Sequence, residues 1–83
     1  MVDSAVITMR DKNNNTIGDF ELPLKIPVKE LEKKLIALLK AMDSDMYVCL
    51  ERLKIEYNGK ILDGEETLYQ NAIWDGSIIK LNY

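Results

Sequence analysis

The side chains able to do chemistry are few, and they do not assemble into a set. The sequence contains no histidine, the side chain most often used as a general base, and no Ser/His/Asp or Cys/His combination can be drawn from it. Its one cysteine, Cys49, lies in the apolar run Met46-Tyr47-Val48-Cys49-Leu50. Burial there would raise the thiol pKa and leave it inert, so Cys49 is expected to be structural. A single cysteine also excludes an internal disulfide and the ligand spacing of a structural zinc site. Asp43-Ser44-Asp45 together with Glu51 offers hard oxygen ligands, but lacks the glycine and bidentate glutamate of a calcium loop. It reads as a solvated loop after a helix. The four glycines are scattered singly among turns, so no phosphate-cradling loop is present. These readings predict a protein that is not an enzyme and carries no cofactor and no metal.

The elements that would position any functional side chain are legible in the hydrophobic pattern. From Ala5 to Arg10 a short β-branched run alternates, with Ala5, Ile7 and Met9 expected inward and Val6, Thr8 and Arg10 outward. The asparagine run 13–15 suits a reversal, because asparagine tolerates the left-handed conformation. Thr16–Leu22 should then return as a second strand, with Phe20 and Leu22 on one face, Asp19 and Glu21 on the other, and Gly18 as its weak point. Pro27 suits the mouth of a helix, since the amide hydrogen it lacks would have no partner there.

From Val28 to Met42, Val28, Leu31, Leu35, Leu38, Leu39 and Met42 recur at helical spacing, with Ile36 beside the stripe. Lys29, Glu30, Glu32, Lys33, Lys34 and Lys40 fill the other side. Residues 43–52 read as loop with a possible helical turn. Leu53, Ile55 and Tyr57 alternate, Asn58-Gly59 marks a tight hairpin, and Lys60-Ile61-Leu62 returns. Asp63-Gly64 and Asp75-Gly76 are further turns, Thr67 can cap a short helical turn through Tyr69, and Ser77–Tyr83 is a last strand with Ile79 and Leu81 inward. The order predicts an α+β roll, a mixed sheet of four to five strands packed on one main helix.

At 83 residues the chain fits a single domain, 1–83, with one small core. Its 47% hydrophobic and 30% charged residues are a globular balance. A net charge of −3 argues against a phosphate-tracking surface, so nucleic acid is not the expected partner. The N-terminal Met-Val-Asp-Ser-Ala segment lacks a basic region followed by an apolar stretch, and no apolar run approaches a membrane span. A lone cysteine fits a reducing compartment. The expectation is a cytoplasmic protein without direct membrane insertion.

The run from Leu53 to Leu68, LKIEYNGKILDGEETL, resembles ubiquitin from its third strand into its short helical turn. Ile73, Ile79 and Leu81 fall where ubiquitin places core residues, so the resemblance, covering nearly the whole chain, implies a ubiquitin-like β-grasp fold. Three shorter features, Asp19-Phe20-Glu21-Leu22, Pro27-Val28-Lys29, and the closing pattern Leu68, Ile73, Asp75-Gly76, Ile79, are similar to the bacterial YukD and EsaB family associated with type VII (WXG100, ESX-like) secretion systems. That resemblance implies an accessory or regulatory protein whose partners are proteins, secretion-system components among them.

Two departures from ubiquitin shape the expectation. Conjugation needs a flexible tail ending in Gly-Gly, whereas this sequence closes on Lys80-Leu81-Asn82-Tyr83, which disfavours a modifier or sulfur carrier. Ubiquitin's apolar receptor-binding face is replaced by Glu56, Lys80 and Asn82. Burying such charges without partners would cost several kcal/mol, so generic ubiquitin-binding domains should not recognise it. Trp74 follows core Ile73 and tips toward solvent. It is either an interface anchor or folds over its own hydrophobic edge. Tyr47, Tyr69 and Tyr83 pose the same question more weakly, with core or partial burial favoured. The candidate protein-binding residues are Trp74, Glu56, Lys54, Lys80, Asn82 and Lys33. The basic helix side, Lys29, Lys33, Lys34 and Lys40, is a solvated face or would meet an acidic partner. Uncovered strand edges allow a monomer or a weak homodimer. A ubiquitin-like regulatory module of an unrelated pathway stays open beside the secretion reading.

Overall fold

Ala5, Ile7, Met9 and Leu22 leave one face of a hairpin apolar, and the chain covers it with a helix. The computed structural model describes residues 3–83, so Met1 and Val2 of the N-terminal segment lie outside it. The elements are β1 (Ser4–Arg10), β2 (Thr16–Pro23), α1 (Val28–Met42), β3 (Lys54–Tyr57), β4 (Lys60–Ile61), a 3₁₀ turn (Tyr69–Asn71) and β5 (Ile78–Asn82). They form one five-stranded sheet in the order β2-β1-β5-β3-β4. β1 pairs antiparallel with β2 and parallel with β5, and β3 runs antiparallel to both β4 and β5. This is the mixed β-grasp sheet with one helix that the sequence predicts.

The inward residues are those the alternation marks. Ile7, Met9, Ile55, Ile79 and Leu81 are fully buried, and Val28, Leu31, Leu35 and Leu39 of α1 close over them. Asn58 and Gly59 both take positive φ, 52° and 79°, as a two-residue hairpin between right-twisted strands demands. At Gly18 the ladder slips, with a register shift beside Met9 and Arg10, so the expected weak point of β2 is an irregularity of pairing.

The helix differs from expectation in which face it buries. Met42 is half exposed and Leu38 only partly buried, whereas Glu32 is 6% exposed. The buried stripe is Val28, Leu31, Glu32, Leu35 and Leu39. Met42 is the last residue of the helix.

The start of α1 shows a further difference. Pro27 stands just before the helix, and no side chain caps it. The first amides are instead satisfied from a distant loop: Val28 N–H donates to the Glu66 carbonyl at 2.7 Å and Lys29 N–H to the Gly64 carbonyl at 3.0 Å. A Cβ on Gly64 would stand 3.2 Å from the Lys29 Cβ. The Asp63-Gly64 turn thus does for α1 what a capping side chain does elsewhere.

After α1, Tyr47 N–H donates to the Asp43 carbonyl and Leu50 N–H to the Tyr47 carbonyl, 3.1 and 3.0 Å. This tight turn aims Tyr47 and Leu50 into the core and leaves Met46, Val48 and Cys49 outside. The expected burial of Cys49 is therefore wrong. A turn presents only every third residue or so to the core, and in this apolar run the inward places fall on Tyr47 and Leu50.

Candidate protein-binding surfaces

The candidate residues fall into three groups. Trp74 belongs to the turn before β5, and that turn is tightly held. Trp74 N–H donates to Ser77 Oγ and Ser77 N–H to the Trp74 carbonyl, at 3.0 and 3.1 Å. Asp75 Oδ1 accepts the Val6 amide at 2.7 Å, and Gly76 N–H donates to the Val6 carbonyl at 3.0 Å. On this fixed backbone the indole is 49% exposed and stands edge-on to Tyr69, centroids 5.5 Å apart at 89°. Lys25 Nζ lies 5.5 Å over the Tyr69 ring and 3.4 Å from Asp3. Trp74 therefore both packs on its own molecule and offers a large apolar face to solvent.

Tyr69 is half exposed and packed edge-on against Trp74, the partial burial expected of it. Its position is set by the 3₁₀ turn, whose start is fixed by reciprocal bonds: Gln70 N–H to Thr67 Oγ1 and Thr67 N–H to Gln70 Oε1, 3.0 and 2.9 Å. Ala72 ends it in the left-handed conformation at φ 56°, which throws Ile73 into the core and Trp74 out. Lys25 was not among the candidates, since nothing local ties it to residues 69–74.

The second group is the outer face of the sheet. Glu56 is register-paired with Lys80, and Lys80 with Arg10, placing these three charges in one row. Lys54 pairs with Asn82 in the next, and Asn82 Nδ2 donates to Glu56 Oε1 at 2.9 Å. Glu56, Lys80 and Asn82 are thus brought together and half-buried, with Glu56 and Asn82 hydrogen-bonded and Lys80 beside Glu56 by register. Val6, Ile61 and Ile78 are exposed and share this face by register, so it is polar at its centre with isolated apolar residues.

The third group lies between α1 and the segment leading into β3. A groove of about 360 Å³ there is lined by Lys29, Glu32, Lys33, Ile36, Glu51, Arg52, Leu53 and Lys54. Lys33 and Lys54 therefore meet across it, and Lys54 Nζ stands 4.0 Å from Glu32 Oε1. Burial pushes the Glu32 carboxyl above the usual carboxylate pKa, opposed by the Lys54 charge and a hydrogen bond from the Ile55 backbone. Glu32 Oε2 is buried without a hydrogen-bond partner. The signal for Glu32 was in the spacing: four residues after Val28 and three before Leu35, it falls on the apolar stripe.

Elsewhere, Tyr47 stands edge-on to Tyr83 with centroids 6.1 Å apart. Burial first, then the Tyr83 hydroxyl, pushes the Tyr47 pKa up to about 12. Asp43 Oδ1 accepts the Met46 amide at 3.1 Å, a turn-stabilising role for that acidic run. Among the described residues no three His, Cys, Asp or Glu side chains are grouped to hold a metal ion, and no helix is long and apolar enough to cross a membrane.

No protein-family model matches the chain, and no curated protein sequence matches it. Solved structures do resemble it. One is the N-terminal ubiquitin-like domain of the 4931431F19Rik protein, at 22% identity, TM-score 0.72, over 99% of this chain and 76% of that one. Another is the ubiquitin-like domain of the type VII secretion system protein EccD1 of Mycobacterium tuberculosis, at 17% identity and TM-score 0.76 over 100% of both chains. A third is a chain of an ESX-5 inner membrane complex, at 16% identity and TM-score 0.78, over 98% of this chain and 21% of that one. Identities this low speak to architecture, and the architecture they establish for this chain is the ubiquitin-like β-grasp fold.

Proposed function

We propose that this protein is a ubiquitin-like accessory or regulatory module that binds partner proteins noncovalently, without catalysing a reaction and without being attached to its targets. The observation that carries this reading is Trp74, half exposed beside Tyr69 on a turn held by four hydrogen bonds. A large aromatic surface on a rigid backbone loses little entropy on docking, which is the usual character of an interface anchor. The partner in this reading is a component or regulator of a type VII-like secretion apparatus, met in the cytoplasm, in the manner of the YukD and EsaB family. The fold likeness to the EccD1 domain and to a chain of the ESX-5 inner membrane complex supports that pathway.

The test is an affinity capture of the tagged protein from its native host, beside Trp74→Ala, on denaturing gels. Recovery of secretion-system proteins as separate SDS-labile bands, reduced at least several-fold by the substitution, is the expected result. A ladder of SDS-resistant adducts carrying the tag would refute noncovalent action, and capture unaffected by Trp74→Ala would remove the anchor.

A further inference from the structure

The groove between α1 and residues 51–54 combines cationic side chains with an apolar floor. Four cations line it, Lys29, Lys33, Arg52 and Lys54. Lys29 is engaged by Glu65 at 2.8 Å and Lys54 by Glu32 at 4.0 Å. Among the described residues, Lys33 and Arg52 have no carboxylate within ion-pair distance, on a chain whose net charge is −3. The floor between them is apolar, made by half-buried Ile36 and buried Leu53. Beside that floor sits Glu32, with a buried Oε2 lacking a donor. A buried acceptor left without a partner is costly and unusual.

Three demands therefore converge: carboxylates for Lys33 and Arg52, an aliphatic side chain for Ile36 and Leu53, and an N–H for Glu32. An acidic polypeptide segment in extended conformation supplies all three, since its backbone carries donors between side chains that alternate. A nucleic-acid backbone supplies anions but neither an aliphatic side chain for Ile36 and Leu53 nor a backbone N–H between its charges.

Resting on the protein-docking reading above, we propose that this groove binds an extended acidic segment of a partner protein, with Lys33 and Arg52 as its charge contacts. It is a second docking surface, separate in sequence and position from the Trp74 corner.

The test uses the full chain and a fluorescein-labelled twelve-residue peptide in which leucine alternates with aspartate and glutamate. A peptide with lysine at every acidic position and an oligothymidylate of similar charge are the comparators. Binding is read by anisotropy and located by amide chemical-shift changes. The expected result is binding of the acidic peptide alone, weakened by salt, with shifts at Lys33, Ile36, Leu53 and Lys54. The double variant Lys33→Glu/Arg52→Glu, at two solvent-exposed sites, should weaken it at least tenfold, and Trp74→Ala should leave it within twofold. Absence of binding at millimolar peptide, equal binding of the lysine peptide, tighter binding of the oligonucleotide, shifts centred elsewhere, or indifference to the double variant would each overturn the groove. Host-protein capture lost with Trp74→Ala but not with the double variant would leave the general docking reading standing while the groove fails. Peptide binding in the groove with no host protein captured would do the reverse.

Discussion

Glu32 shows how far one side chain can depart from its class. A carboxylate on a helix is ordinarily solvated, yet this one shares the buried stripe with Leu31 and Leu35, one oxygen facing Lys54 and the other facing no donor. Because burial raises its folded-state pKa above the ordinary 4.5, the folded protein holds this proton more tightly than the unfolded chain. Its contribution is therefore most favourable below about pH 4.5 and is lost as pH rises through the folded-state value. Glu32→Gln should remove this dependence. Urea midpoints for both proteins between pH 4 and 8 should show the variant gaining on the parent as pH rises, whereas a constant difference would mean that Glu32 is solvated. Glu32→Leu should be more stable than the parent at pH 7 by about 1 kcal/mol, the order of an unmade buried hydrogen bond. Cys49 shows the opposite error of class. An apolar neighbourhood in sequence suggested burial, but Tyr47 and Leu50 take the inward places of their turn.

Among the elements, α1 depends most on something outside itself. Its amphipathic pattern fixes its existence and extent, Val28–Met42, because burial of the leucine stripe and the good helix propensity of its Lys, Glu and Ala residues act together. Its first amides are closed by the Gly64 and Glu66 carbonyls, across more than thirty intervening residues, and the approach is close enough that a Cβ on Gly64, 3.2 Å from the Lys29 Cβ, would force the two apart by a few tenths of an ångström. Gly64→Ala should therefore lower stability by about 1–2 kcal/mol, the usual range for overpacking, although Gly64 has no positive φ to strain. Equilibrium urea unfolding checks this: the midpoint should fall with the slope unchanged, and an unmoved midpoint would mean that the loop yields freely.

At the scale of the molecule, the parallel β1–β5 pairing joins the two ends of the chain at the centre of the sheet. Thr8 N–H donates to the Ser77 carbonyl at 3.0 Å, and Ile7, Met9, Ile79 and Leu81 are all fully buried beneath α1. The β1–β2 hairpin should not persist without β5, because an isolated two-stranded ribbon is marginal in water. Native-state hydrogen exchange should find the amides of β1 and β5 opening together, at the free energy of global unfolding. Protection of β1 that outlasts that of β5 would show instead that the hairpin is an independent unit.

The sequence by itself determined the elements, the inward faces of β1, β3 and β5, the left-handed Asn58-Gly59 turn and the β-grasp order, since these follow from short-range periodicity and backbone sterics. It also marked Trp74 for the surface, through the alternation after Ile73. Tertiary structure alone decided that Tyr69 and Lys25 join Trp74, that Lys33 and Lys54 face one groove over a buried Glu32, and that a distant turn caps α1. The reason is physical. Periodicity reports which side of an element seeks the core, whereas a binding surface is made where elements far apart in the chain meet, and that meeting is set by packing that no local pattern encodes.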